Sequence, residues 1–312
     1  MSELLAPQLL DCPHHQNCPE QQSLPLRATT LGGGLTIARA LPHRDRRLIG
    51  PWCFLDHMGP ALSTGPRTIN VGPHPHIGLQ TVTWLFEGAI RHRDSLGNDL
   101  EIRPGQLNLM TAGRGIVHSE QSTSPAGAIL HGAQLWLALP EAERHQPPRF
   151  EHIESLPQRR EGAARIHCFA GRLGELQSQA RCHWPLVGAE IQASDKTTLT
   201  LPLDGGFEHG LLLIDGQCHH PGGQLDKAEL LYLGPGLTEL PLALAAGSRL
   251  LLIGGIPFEE DVVIWWNFVA RSQAEIVQAR DDWQQGRLGD LPGHDGPPLA
   301  APPLTGRVKG GR

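Results

Sequence analysis

The sequence predicts an all-β protein built as two sandwiches or barrels, on three observations. Glycine and proline number 37 and 27 in 312 residues, a turn density that favours short strands over helices. Short apolar runs at 35–37, 52–55, 81–86, 106–110 and 133–139 are separated by Gly, Pro, Asn and Asp. A length of 312 residues, at roughly 150 residues per domain, provides for two modest cores.

The elements follow in chain order. Residues 1–25 are polar and rich in Pro and Gln and are expected to form a flexible extension. A first β domain is expected over 26–150, with Gly32-Gly33-Gly34 near its start. A charged bridge from Glu141 to Arg160, with Pro147-Pro148 inside it, reads as a linker or strap, assigned to 151–185. The second domain, expected over 186–290, repeats the texture with strand-like runs at 199–203, 210–214, 230–233 and 249–253. One helix is signalled from Gln273 to Gln285: Ser272 and Glu275 form a capping box, Ile276, Ala279 and Trp283 fall near helical spacing, and Gly286 supplies a stop. From 291 to 312 the chain is Pro- and Gly-rich and is expected to be a mobile tail.

Composition narrows the function. With Lys+Arg 26 against Asp+Glu 32 the formal charge is −6, which argues against a broad nucleic-acid footprint. No run approaches the ~18 apolar residues of a membrane span. The start Met1-Ser2-Glu3-Leu4-Leu5 lacks the basic and apolar regions of a secretory signal. Six cysteines (Cys12, Cys18, Cys53, Cys168, Cys182 and Cys218) are scattered without framework spacing. Reduced thiols in a cytoplasm are therefore expected.

The chemistry concentrates in Gly72-Pro73-His74-Pro75-His76 and His118-Ser119-Glu120. Residues i and i+2 of an extended strand face the same side, so two such strands side by side would gather three imidazoles and a carboxylate. That donor set suits a first-row transition metal with positions left open for substrate or water. Among the 17 histidines no other two stand at i, i+2; His14-His15 and His219-His220 are adjacent and would face opposite sides of a strand. The second half has no His-x-His and no His-x-Glu, so a second metal site of this design is not expected there.

Three strings carry a family resemblance. Gly50-Pro51-Trp52-Cys53-Phe54-Leu55-Asp56-His57-Met58-Gly59-Pro60 is followed by Pro73-His74-Pro75-His76-Ile77-Gly78-Leu79-Gln80-Thr81-Val82-Thr83-Trp84-Leu85, then by Met110-Thr111-Ala112-Gly113-Arg114-Gly115-Ile116-Val117-His118-Ser119-Glu120. These resemble the pirin family of the cupin superfamily. Leu252-Ile253-Gly254-Gly255-Ile256-Pro257 and Trp265-Trp266-Asn267-Phe268-Val269-Ala270-Arg271 resemble its second half. The resemblance implies a bicupin: two double-stranded β-helix (jelly-roll) barrels packed face to face, with a short C-terminal helix bracing the second.

It further implies one metal in the N-terminal barrel, usually iron, with ligand positions on His74, His76, His118 and Glu120. Iron(II) is the expected ion, and Mn, Ni, Cu, Co or Zn would suit the same donors. Many cupins carry Glu where this chain has Gln80, so no second carboxylate base is expected beside the metal.

Some pirin-like proteins resemble quercetin 2,3-dioxygenases, which open a flavonol with O₂ and release carbon monoxide. The expected function is therefore oxygenation of a flavonol or related small aromatic, with Glu120 as the base for its hydroxyl. The alternative is a metal- or redox-responsive regulator acting through protein partners; a monomer without nucleic-acid or membrane contact is expected in either case.

Other residues receive structural readings. Cys12-Pro13-His14-His15-Gln16-Asn17-Cys18 lacks the separated ligand pairs of a structural zinc site and reads as flexible chain. His57, beside Asp56 in a turn, reads as a hydrogen-bonded structural histidine. Arg114 reads as a substrate-attracting or turn-stabilising cation near the metal strand. Trp84 and Phe86 read as core, one of them able to line a barrel mouth. Trp265 and Trp266 read as packing between domains or under the helix.

Overall fold

The computed structural model describes residues 19–30, 35–65, 68–294, 296–307 and 310–311. Among these residues strands dominate, with one helix, Gln273–Gln284. The chain divides into two compact units. One comprises 27–48, 53–155 and 259–312, and the other 1–26, 49–52 and 156–258. The Cys12–Cys18 extension lies outside the described residues.

In the first unit a seven-stranded sheet runs in the order Arg149–Ile153, Leu107–Thr111, Leu79–Glu87, Ile129–Ala138, Trp52–Leu62, Thr36–Leu41, Arg27–Thr30. A four-stranded sheet runs Asn70–His76, Ile116–Ser122, Ile90–Asp94, Asp99–Ile102. Leu79–Glu87 pairs antiparallel with Leu107–Thr111 and Ile129–Ala138, and Ile116–Ser122 antiparallel with Asn70–His76 and Ile90–Asp94. Leu79–Glu87 is buried along nearly its whole length, as the continuous apolar run 81–86 requires of a strand covered on both faces. Ile37, Met58, Ile69, Leu85, Ile90, Ile102 and Leu130 form one apolar cluster inside this unit.

The second unit repeats the plan. Its larger sheet runs Gln21–Pro25, Glu229–Leu233, Glu208–Asp215, Arg249–Gly255, Leu186–Ala193, Ala164–Leu173, Gln158–Glu161, with Leu176–Gln177 paired to Ala164–Leu173. Its smaller sheet runs Thr197–Pro202, Glu239–Leu244, Cys218–His220, Gly223–Gln224. A dense cluster of leucine, isoleucine, valine and cysteine fills it, with Ile166, Ile191, Leu201, Leu211, Leu233, Leu244, Leu250 and Leu252 all fully buried or nearly so. Burying each such side chain stabilises by roughly 1.5–3 kcal/mol.

The helix forms where its capping box lies. Ser272 Oγ accepts from the Glu275 backbone N–H at 3.3 Å, and Glu275 Oε2 accepts from the Arg271 N–H at 3.3 Å. Ile276, Ala279 and Trp283 are its buried residues, packed with Val263, Phe268 and Ala270. Two ion pairs hold its start: Arg144 to Glu275 at 2.7 Å and Arg271 to Glu260.

Four expected boundaries shift. Residues 259–290, expected in the second domain with a helix bracing it, belong to the first unit, where the helix packs with Val117 and Phe268. Gln21–Pro25, expected within a flexible extension, is a strand with Leu24 fully buried; its edge amides pair with Glu229–Leu233. The expected linker 151–185 contains Ala164–Leu173, whose Ile166, Cys168, Phe169 and Ala170 are core. The charges up to Arg160 masked that apolar run. The tail expected to be mobile is docked: Leu299 N–H donates to the Pro73 carbonyl at 2.8 Å, Trp283 Nε1 donates to the Leu299 carbonyl at 2.8 Å, and Ala301 is buried. Proline-rich chain has few donors of its own, so isolated bonds of this kind and apolar contacts hold it.

No helix among the described residues is long and apolar enough to cross a membrane.

Candidate metal centre

His74 and His76 close strand Asn70–His76, and the antiparallel strand Ile116–Ser122 sets His118 opposite His74. The ligand nitrogens of these three rings lie within 4.8 Å of one another, the one group of its kind among the described residues. All three side chains are buried. The ring centroids are 4.3 Å apart for His74 and His118, and 5.0 Å for each of the other two pairs.

The outer nitrogens explain how the rings are aimed. His74 Nδ1 lies 2.9 Å from the Gly72 carbonyl oxygen and His76 Nδ1 2.9 Å from that of Asn267. An imidazole that donates from Nδ1 keeps its lone pair on Nε2, facing inward. His118 has no carbonyl there; its Nδ1 lies 3.5 Å from Nδ1 of His92. His92 Nε2 in turn lies 3.1 Å from Asp94 Oδ2. Asp94 is itself fixed by the backbone N–H groups of Leu96 and Asn98 and by the Asn98 amide. The His92 ring stacks on Phe150 at 4.4 Å and 16°.

A divalent cation fits this arrangement. His118 Nε2 is buried without a hydrogen-bond partner, a rare condition for a native polar atom, and a metal bound among the three rings would relieve it. The rings are also held neutral, as ligation requires. Burial pushes His74 down to about 4, against the opposing hydrogen bond to Gly72. Burial, then the charge of His74, holds His76 well below the ordinary histidine range. Burial and the neighbouring imidazoles do the same to His118.

Glu120 stands differently. His118 and Glu120 keep the i, i+2 alternation, pairing in step with Asp94 and His92; the bulge is in the facing strand, whose extra residue puts Val71 rather than Gly72 opposite Glu120. Its carboxylate is outside the three-imidazole group but lines the same cavity. Burial raises its pKa, with His92 and the Thr83 hydroxyl, 3.5 Å from Oε1, pulling the other way.

The cavity occupies about 520 Å³. One wall is aromatic: Phe54 stacks on Trp136 at 4.0 Å and 12°, and Trp136 meets the His76 ring edge-on at 5.1 Å. The Arg39 guanidinium sits 4.5 Å over the Phe54 ring and holds Asp56 through two 2.7 Å bonds. Asp56 is fully buried, and burial raises its pKa against the opposing pull of Arg39.

Several sequence readings find different places. Asp56 and His57 are within strand Trp52–Leu62, not a turn; His57 Nε2 meets His131 Nε2 at 2.8 Å, in keeping with a structural histidine. Arg114 is exposed and lines a separate small cavity with Glu275 and His145, away from the metal cavity. Trp84 is core, and neither it nor Phe86 lines the metal cavity; Trp136 and Trp266 do. Gln80 donates to Thr111 Oγ1 at 2.9 Å. Phe54, Trp136 and the Arg39–Asp56 pair carried no local signal, because only the fold assembles them. His92 and Asp94 did carry one: they stand at i, i+2 on an extended strand.

Two units of paired antiparallel sheets, one with converging imidazoles, define a bicupin with a candidate three-histidine metal site. The family models for pirin and for the pirin C-terminal cupin domain match residues 34–137 and 188–289, and the chain belongs to the pirin family.

A Pseudomonas aeruginosa protein provisionally named a quercetin 2,3-dioxygenase is 46% identical over 96% of each chain. A pirin-like protein of Caulobacter vibrioides is 38% identical over 82% of this chain and 90% of that one. The crystal structure of a quercetin 2,3-dioxygenase from Acinetobacter baumannii superposes with a TM-score of 0.87 at 43% identity, covering 92% of this chain and 97% of that one.

Proposed function

We propose that this pirin is a metal-dependent dioxygenase acting on quercetin-type flavonols or a related small hydroxylated aromatic. His74, His76 and His118 would hold one divalent ion, iron(II) first, with Glu120 as fourth ligand. The observation that carries the reading is the buried imidazole cluster, with its unpartnered His118 Nε2, opening onto an aromatic-walled cavity. The 46% and 43% identical relatives, both named for quercetin 2,3-dioxygenation, support the reaction class. When bound, the ion would supply a Lewis acid and template for substrate and O₂.

The protein's own contribution follows from its side chains. Phe54 and Trp136 offer a flat face to a planar ring. Arg39, fixed by Asp56, adds positive charge on the same wall. A Glu120 carboxylate with a pKa raised by burial is suited to take the proton of a flavonol hydroxyl at its oxygen. The apolar lining limits water around that proton transfer.

The test is metal analysis of protein purified without added metal, followed by incubation with quercetin under air, in wild type and His74→Ala. Bound first-row metal with flavonol bleaching that the variant loses is the expected result. Bound metal with no bleaching would sink the flavonol reading and transfer weight to a regulator. Protein that binds no metal would overturn the site itself.

A further inference from the structure

We propose that the second unit carries a separate binding site for a neutral, planar aromatic alcohol, anchored by hydrogen bonds to His209. This unit has no metal cluster among its described residues. The strands that occupy the places of Asn70–His76 and Ile116–Ser122 in its sheet order are Thr197–Pro202 and Glu239–Leu244. They read Thr-Thr-Leu-Thr-Leu-Pro and Glu-Leu-Pro-Leu-Ala-Leu, with no histidine, and Leu201, Leu240 and Leu242 are buried core. A cavity of about 570 Å³ nevertheless remains, within the range of small-molecule sites.

Its wall carries one unexplained polar group. His209 is 0% exposed, lines the cavity, and has neither ring nitrogen hydrogen-bonded. A buried imidazole without partners is destabilising and uncommon, and the cavity is the space from which a partner can come. Burial pushes His209 down to about 4, against the pull of Asp204, so near neutral pH the ring offers one donor and one acceptor nitrogen. A hydroxyl group matches either role.

The rest of the lining selects an aromatic body. Trp184 is set in place by its indole N–H, which donates to the Ile256 carbonyl at 2.8 Å, and by Phe258 at 4.9 Å. Phe207 lies 6.1 Å from the His209 ring. Leu186, Val187 and Leu203 supply apolar surface. Asp204 and Arg172 both line the cavity, so its charges offset one another and a ligand without net charge is favoured.

The probe is 2-naphthol, compared with its methyl ether, on the full chain. We expect 2-naphthol to bind at least roughly tenfold more tightly than the ether, about 1.4 kcal/mol, and to shift the ring ¹⁵N resonances of His209. His209→Phe should level the two affinities, and His74→Ala should leave both unchanged, which separates this site from the metal cavity. Ring resonances of His209 that stay still at saturating 2-naphthol would overturn the proposal, as would equal affinities for alcohol and ether in wild type. The wild-type resonances decide even if His209→Phe fails to fold. Loss of binding in His74→Ala would reassign the probe to the metal cavity and likewise overturn it.

Discussion

His118 Nδ1 faces Nδ1 of His92 across 3.5 Å, so one of the three clustered imidazoles is oriented by a side chain where the other two are oriented by backbone carbonyls. Asp94 holds His92 from behind; burial opposes its ionisation, but hydrogen bonds from His92 and Asn98 keep its pKa below the usual carboxylate range. The resulting order is carboxylate, imidazole, ligand imidazole. It places the His118 lone pair on Nε2 and raises its basicity.

Removing that support should weaken the metal without emptying the site. Asp94→Asn and His92→Phe are expected to lower metal affinity by about 10–100-fold, measured by chelator competition, with far-ultraviolet circular dichroism unchanged. Unaltered affinity in both variants would show that packing alone aims His118.

The Arg39–Asp56 pair makes a sharper prediction for stability. Arg39→Met leaves a buried carboxylate without its partner, at a cost of about 3–5 kcal/mol. Adding Asp56→Asn should recover much of that loss, since an amide tolerates burial better than an unpaired charge. Urea unfolding of the two single variants and the double variant closes the cycle; additive losses would mean the pair is not coupled.

Gly78 links backbone geometry to the metal. Its φ is +69°, and a Cβ there would fall 2.0 Å from the Val269 carbonyl oxygen. The Val269 N–H donates to the Ile77 carbonyl at 3.1 Å, and Ile77 bridges Phe268, next to the Asn267 carbonyl that positions His76. Gly78→Ala should therefore lower the melting temperature and metal affinity together, through backbone strain of about 1–3 kcal/mol and the clash. A variant that melts earlier yet binds metal normally would break the proposed link.

His209 sets a pH dependence. Its folded value is about 4 against an ordinary 6.5, so between these the unfolded chain takes up a proton that the folded one refuses. The contribution is fully present above pH 6.5 and is lost as pH falls toward 4, by roughly 2–3 kcal/mol at pH 4.5. Urea midpoints at pH 7 and pH 4.5 should differ less in His209→Phe than in wild type. An equal acid loss in both proteins would rule His209 out as the responsible group.

Much of the fold was legible locally. The turn density predicted strands, the nine apolar runs each fall on one, and Ser272, Glu275 and Gly286 marked the helix at 273–285 against an observed Gln273–Gln284. Three of the boundaries that failed, at Gln21–Pro25, Ala164–Leu173 and the segment around Leu299, share a cause. Each is polar or proline-rich in its surroundings, and it becomes ordered only through a distant partner: Glu229–Leu233, Leu186–Ala193 and Pro73 respectively.

The sequence by itself determined the chemistry available: the His-x-His pair and the later His118 and Glu120 follow from period-two alternation, which is a local property of an extended chain. The tertiary structure alone decided what those groups face. It set His118 opposite His74 and, through a bulge in the facing strand, Glu120 opposite Val71. It brought Phe54 and Trp136 together as a wall and left His209 unpartnered in a second cavity. These relationships join residues far apart in the chain, and which of them meet is fixed by strand register and packing, to which no short stretch of sequence has access.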